Sequence, residues 1–109
     1  MIKLVILFRR PQERPEQLIT DVMGRLVPRC RAVPGLIRLE VAPTHGGLEV
    51  GKGDRRGPPF LMLELYFPDR ETFDSALIST EGHGTMDELM AISGHEVNVF
   101  VAEVRPVSV

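Results

Sequence analysis

The sequence has little of several features that would narrow its class. It carries one cysteine, Cys30, among 109 residues, which excludes an intramolecular disulfide framework. Its 13 lysines and arginines against 15 acidic residues give a formal net charge of −2, so the clustered positive excess that non-specific nucleic-acid binding requires is missing. No apolar run approaches the roughly 20 residues of a membrane-spanning helix. The apolar start, residues 1–8, ends at Arg9 and Arg10 and lacks the pattern of a signal peptide. These absences predict a cytoplasmic protein.

The length and composition predict one domain, spanning residues 1–109. The chain has a mass of 12.2 kDa, with 43% hydrophobic and 26% charged residues. A chain of this length buries roughly two thirds of its unfolded surface. It therefore needs neither a metal nor a disulfide in order to fold.

Hydrophobic periodicity predicts strands and helices in a definite order. Strand-like alternation covers residues 2–9, 36–41, 60–67 and 97–104, and a further short strand is expected around 48–50. A helical stripe covers residues 16–33, and Pro28 should kink or split it. A second helix begins after Asp69, which is expected to cap it, is interrupted over 79–84, resumes at Met86 and closes at Gly94.

This order, strand-helix-strand-strand-helix-strand, predicts a ferredoxin-like fold of the α+β class. In that fold a four-stranded antiparallel sheet carries two helices on one face. Several strands are apolar on both faces, as Leu7, Met62 and Phe100 show, although helices can cover only one. Because an apolar sheet face of this size is rarely left in water, the sequence predicts a homodimer joined through its sheet faces.

Short motifs along nearly the whole chain resemble the EthD-like family of small dimeric α+β barrel proteins. They are the start from Ile2 to Pro11, the segment from Pro28 to Leu36 with its Val-Pro-Gly-Leu end, Pro58-Pro59-Phe60 leading to Glu64-Leu65-Tyr66-Phe67, the turn Ser79-Thr80-Glu81-Gly82, and a last strand ending in Glu103-Val104.

The resemblance implies two sheets that pair into a barrel with the helices outside. It also implies an association with the breakdown of ethyl tert-butyl ether beside a monooxygenase system. Members of the family often carry a histidine two places before the proline that Pro28 matches. This chain has Leu26 at that place, so chemistry that depends on the histidine is not expected to carry over.

The main candidate site is an apolar cleft near Gly82-His83-Gly84, bounded by the second helix and the sheet. Met86 and Met90, four residues apart, would line it with adaptable side chains, and His83 would be its main polar group, with a pKa near neutrality available for general-base work. The alternative for His83 is a solvated turn residue. Tyr66 is a further ligand-binding candidate.

No cofactor is expected. The spacing of His45, His83 and His95 fits no metal-ligand motif, and no histidine is placed as a haem ligand. The basic, glycine-rich segment 51–56 lacks the spacing of a phosphate-binding loop and is interpreted as a solvated loop. Glu64 lies among apolar neighbours, so an ion pair with Lys3 or Arg38 is expected.

Three functional hypotheses remain open. The first is an EthD-like protein that binds a small apolar molecule, auxiliary to the degradation of ethers or aromatic compounds. The second is a cofactor-independent monooxygenase-like enzyme, which is an analogy at the level of the fold. The third is a noncatalytic structural or accessory dimer. A closed apolar pocket with convergent polar groups would favour binding.

Overall fold

One antiparallel sheet organises the molecule. The computed structural model describes residues 1–48, 51, 57–94 and 96–109. The strands are β1 (Ile2–Phe8), β2 (Arg38–Pro43), β3 (Leu61–Phe67) and β4 (Val97–Glu103), in the sheet order β2-β3-β1-β4. The predicted ferredoxin-like plan is confirmed. The strand expected around 48–50 involves residues 49 and 50, which lie outside the described residues, and Leu48 belongs to no strand.

The hydrophobic core lies between the sheet and the helices. Alternate residues of the two central strands point to that side: Leu4, Ile6 and Phe8 from β1, and Leu61, Leu63, Leu65 and Phe67 from β3. All seven are buried, as expected for strand positions two apart that share one face. The central strands therefore contribute an uninterrupted apolar floor on which the helices pack.

The first helical connection is divided by a wider turn. It consists of α1 (Pro15–Asp21), a π-helical turn (Val22–Leu26) and α2 (Val27–Arg31). The Val27 N–H donates to the Val22 carbonyl, five residues back. Pro28 has no N–H, and its ring would crowd the carbonyl of Gly24 in a regular helix. The wider turn accommodates the proline, and the predicted division of this helix is confirmed.

The second helical connection breaks at one residue only. It consists of α3 (Arg70–Ile78) and α4 (Thr80–Ser93). As predicted, Asp69 caps α3, accepting a hydrogen bond from the Thr72 N–H at 2.8 Å. The expected interruption over 79–84 is wrong, because α4 begins at Thr80. Ser79 separates the helices and caps α4 by accepting from the Gly82 N–H at 3.0 Å.

A close approach of α4 to α3 explains the glycine at position 82. A Cβ atom there would overlap the carbonyl oxygen of Ala76 in the last turn of α3. Gly82 is buried, and its hydrogen atom is what lets the start of α4 lie against α3. Gly84 is different, since a Cβ there would meet only the flexible end of Arg29, at 3.3 Å from Nη1.

We expect Gly82→Ala and Gly84→Ala to have opposite effects on stability. Gly82→Ala should lower the free energy of unfolding by about 1–3 kcal/mol, because the added methyl group forces the two helices apart. Gly84→Ala should raise it by up to about 1 kcal/mol, since alanine is the better helix former. Chemical denaturation of both variants measures the difference. Equal stability of Gly82→Ala and the parent would contradict the close-approach argument.

Candidate functional site

An apolar cleft opens between the sheet and the corner formed by α3 and α4. Its volume is about 20 Å³, enough for one water molecule or a methyl group. It is lined by Leu4, Val33, Leu65, Phe67, Phe73, Ala76, Leu77, Gly82, Thr85 and Met86. Leu77 is 40% exposed and Met86 is half-buried, so these two flexible side chains form the mouth. A larger molecule would enter by displacing them.

Thr85 is the polar side chain of this cleft. Among the described residues that line it, every other side chain is apolar. Thr85 is only 3% exposed, and its Oγ1 donates to the Glu81 carbonyl at 2.9 Å. No motif of the sequence singles out Thr85. The signal was present, because Gly82, Thr85 and Leu89 recur at helical spacing and form the buried stripe of α4.

The structure does not bring the four candidate residues together. Met86 lines the cleft. His83 lies in the first turns of α4 with an exposed side chain, and Met90 is 49% exposed; neither is part of the lining. Tyr66 is buried on the opposite face of the sheet, since its neighbours Leu65 and Phe67 point towards the helices. A role of these residues in binding stays a prediction.

A second depression is larger but less suited to an apolar molecule. It lies where the segment between β1 and α1 meets α1 and α4, with a volume of about 370 Å³. Its lining includes the charged side chains of Glu13, Arg14 and Asp21 beside Leu18 and Ile92. An uncharged apolar molecule gains little free energy when it leaves water for a depression whose charged side chains stay hydrated. The small cleft is therefore the better candidate.

The sheet face opposite the helices combines apolar and charged side chains. Its apolar part contains Val5 and Leu7 of β1, Met62 of β3 and Phe100 of β4, where Val5 lies opposite Phe100 and Leu7 opposite Met62. Phe100 is 46% exposed. We refer to this side of the sheet as the open face, because no helix of the described residues packs on it.

A hydrogen-bonded charged cluster lies beside this apolar part on the open face. Lys3 pairs with Glu64 at 2.9 Å, which confirms the expected ion pair. Glu40 accepts two hydrogen bonds of 2.7 Å, one from the Tyr66 hydroxyl and one from Arg38. The Lys3 and Arg38 cations also lie over the Tyr66 ring, 5.6 and 5.3 Å from its centre. Each charge of this cluster thus has a partner within the same chain.

These contacts shift the pKa of the Glu40 carboxylate and the pKa of the Tyr66 phenol in opposite directions. The hydrogen bond from Tyr66, followed by that from Arg38, lowers the pKa of Glu40 below its usual 4.5. The same bond raises the pKa of Tyr66 above its usual 10.0, because it favours the protonated phenol. The contribution of Glu40 to stability is therefore fully present above pH 4.5. It is lost as the pH falls through the folded-state pKa.

Removing the Tyr66 hydroxyl should return the pKa of Glu40 towards its usual value. We expect Tyr66→Phe to raise the pKa of Glu40 because it deletes the largest cause of the shift, whereas Lys3→Gln should change it less because Lys3 acts only through its distant charge. NMR titration of the Glu40 carboxyl carbon measures both effects. A larger shift in Lys3→Gln than in Tyr66→Phe would show that the hydrogen bond is not the main cause.

The lone thiol and the other potential ligands suggest no metal centre in the described part of the chain. Burial raises the pKa of Cys30 to about 12, which keeps it protonated and unreactive. Within residues 1–48, 51, 57–94 and 96–109, histidine, cysteine and acidic side chains nowhere gather in the groups of three that could hold a metal ion. Over the same residues, no helix has the length and apolarity needed to cross a membrane.

Solved structures with the same architecture come from proteins of different description. No protein-family model and no curated protein matches this chain. An ethyl tert-butyl ether D (EthD) family protein from Bacillus halodurans superposes with a TM-score of 0.80 at 24% identity, covering 96% of this chain and 99% of that one. A dimeric ferredoxin-like protein of unknown function from Jannaschia gives 0.63 at 17% identity, covering 94% and 98%.

An oxygenase shares this architecture as well. SnoaB from Streptomyces nogalater, a cofactor-independent oxygenase, superposes with a TM-score of 0.61 at 16% identity and covers 97% of this chain and 94% of its own. At these identities the similarity concerns the fold and not the activity. The resemblance found in the sequence is confirmed at that level: the chain has the ferredoxin-like fold that the EthD family protein from Bacillus halodurans also has.

Proposed function

We propose that this protein is a homodimer joined through its open sheet faces, and that each subunit binds a small apolar molecule in the cleft between the sheet and the α3–α4 corner. The observation that carries the binding function is the composition of the cleft: nine apolar or glycine positions and one buried hydroxyl. The proposed role is auxiliary to the degradation of ethers or aromatic compounds. The cytoplasmic location stays a prediction from the sequence.

The open face supports the homodimer by its composition. Leu7, Met62 and Phe100 leave apolar surface in water on the side that no described helix covers, and covering such surface yields about 25 cal/mol per Å² before the costs of association. The charges there are balanced, two cations against two carboxylates, and already paired. A second copy therefore need not supply counter-charges. The Jannaschia protein of the same fold is described as dimeric.

A charge on the open face should prevent the proposed dimer from forming. We expect Leu7→Glu and Phe100→Glu to be monomers near 12.2 kDa at micromolar concentration, because dimerisation would bury an unpaired carboxylate. Val5→Glu should act in the same way, but Val5 is already buried within one chain, so that variant also threatens the fold. Analytical ultracentrifugation of the parent, expected at twice this mass, gives the reference.

Ile78→Glu is the matched control for the dimer test. Ile78 lies in α3 on the helical side and is 79% exposed, so a carboxylate there stays in water. We expect this variant to remain a dimer. A parent protein that sediments as a monomer would reject the dimer, and dimeric Leu7→Glu and Phe100→Glu variants would place its interface elsewhere.

The absence of an ionisable group from the cleft favours binding over catalysis. None of the described residues that line it is acidic, basic, a cysteine or a tyrosine, so proton transfer to a bound molecule has no side chain to carry it. The cofactor-independent monooxygenase is the second candidate, supported by the shared fold of SnoaB. It requires a substrate that reaches beyond the cleft to a group such as the exposed His83.

Ligand binding should depend on Met86 and not on Met90. We expect tert-butanol, methyl tert-butyl ether or phenol to raise the melting temperature of the parent, since a molecule that binds only the native state stabilises it. Met86→Ala widens the mouth of the cleft and should change the affinity at least severalfold. Met90→Ala, the same substitution one turn later and outside the lining, should leave it unchanged.

The same screen separates the remaining hypotheses. No shift with any of the three compounds would reject binding of this ligand class and favour a noncatalytic structural dimer. Loss of affinity in His83→Ala would bring His83 into the site despite its exposed position. Oxygen consumption with a bound phenol, abolished in His83→Ala, would favour the monooxygenase.

A further inference from the structure

We infer that Thr85 makes the cleft select small apolar molecules that carry a hydrogen-bond donor, namely alcohols and phenols, over ethers and hydrocarbons of similar size. The inference rests on the proposed binding function and names the ligand class for that same cleft. It depends on one side chain of α4 that donates its hydrogen bond within the same helix.

The proton of the Thr85 hydroxyl is already in use. A threonine hydroxyl has one donor and two acceptor lone pairs. Its donor is directed to the Glu81 carbonyl one turn earlier, at 2.9 Å. The oxygen keeps its capacity to accept. Thr85 is 3% exposed and belongs to a lining that is otherwise apolar. If its oxygen is turned towards the cleft, it offers a ligand a hydrogen-bond acceptor in a dry environment.

This arrangement discriminates between ligands by what they can donate. An alcohol or phenol hydroxyl can donate to Thr85 while the bond to Glu81 stays intact. An ether oxygen can only accept, so it gains a partner only if the Thr85 proton leaves the Glu81 carbonyl. A hydrocarbon leaves the Thr85 oxygen as it is and gains nothing. The net value of one hydrogen bond corresponds to a preference of about three- to tenfold for the donor.

The dimensions of the cleft restrict the ligand further. The volume of about 20 Å³ admits only a small group past Leu77 and Met86 unless these side chains move. Thr85 and Met86 are adjacent in α4, so a ligand that displaces Met86 comes within reach of the hydroxyl beside it. Compact alcohols and simple phenols fit this description, since their hydroxyl is attached directly to the apolar part.

A structural role of Thr85 makes a different prediction. Buried threonines in helices often donate to the carbonyl four residues earlier without any ligand. In that case Thr85→Val would change the stability of the protein but would not change the relative affinity of two ligands. The ratio of affinities therefore separates the two roles, whereas stability alone would not.

The test compares phenol with toluene, which have nearly the same shape and differ in the hydroxyl group. Affinities of both are measured by NMR titration for the parent, Thr85→Val and Thr85→Ser. Dividing the phenol-to-toluene preference of the parent by that of Thr85→Val cancels the different hydration of the two ligands. We expect this quotient to be about three to ten. Dividing the preference of the parent by that of Thr85→Ser, which keeps the hydroxyl, should give a quotient near one.

Each outcome decides one question. If neither compound binds the parent, the proposed binding function fails and the selectivity falls with it. If both bind and the preference is the same in the parent and Thr85→Val, the inference about Thr85 is wrong while the binding function stands. The inference about Thr85 would also be overturned if the parent prefers toluene and this preference disappears in Thr85→Val. Should Thr85→Val not fold, Thr85→Ala supplies the same comparison.

Discussion

The alternation of residues along the two central strands determines most of this structure. Because β1 and β3 are paired along their whole length, each position that points to the helices has a neighbour that points away from them. Leu4 and Leu65 lie opposite each other on the helical side, and the adjacent pair Val5 and Glu64 lies on the open face. The core and the open face are thus two sides of the same seven-residue strands. A shift in the pairing of β1 with β3 would therefore change the side chains on both faces at once.

Within this frame, the position of α4 depends on a single missing methyl group. Gly82 lets the first turns of α4 lie against the Ala76 carbonyl, and the helix then carries Thr85 and Met86 over the edge of the core. The cleft is the space that remains at this corner. Its small volume follows from the same contact, because the two helices approach each other closely at their junction. Gly82 thus serves the contact between the helices and also borders the cleft.

The sequence predicts the parts of the fold that depend on local pattern. Strand ends differ from the prediction by at most two residues, the Asp69 cap is correct, and the Lys3–Glu64 pair follows from the cost of an unpaired carboxylate among apolar neighbours. The predicted helix break over 79–84 is wrong. It follows from the low helix propensity of glycine, whereas the overlap of a Cβ at position 82 with Ala76 is a tertiary contact that no local pattern shows. Thr85 is hard to predict for a related reason. A buried threonine that donates to a carbonyl of its own helix differs from other threonines in the sequence only by its place on the apolar stripe.

The charged cluster shows why an apolar sheet face can contain ions and still be a surface for association. Leaving a buried charge without a partner costs far more than a paired charge contributes, so ions on such a face are tolerable only if they are satisfied beforehand. Glu40 and Glu64 meet this condition through Tyr66, Arg38 and Lys3, which come from the same strand or a neighbouring strand of the same chain. Leu7, Met62 and Phe100 of the same face are apolar, and they supply the gain from covering it. The polar contacts thus act within one chain, and the apolar surface is what the proposed second copy would cover.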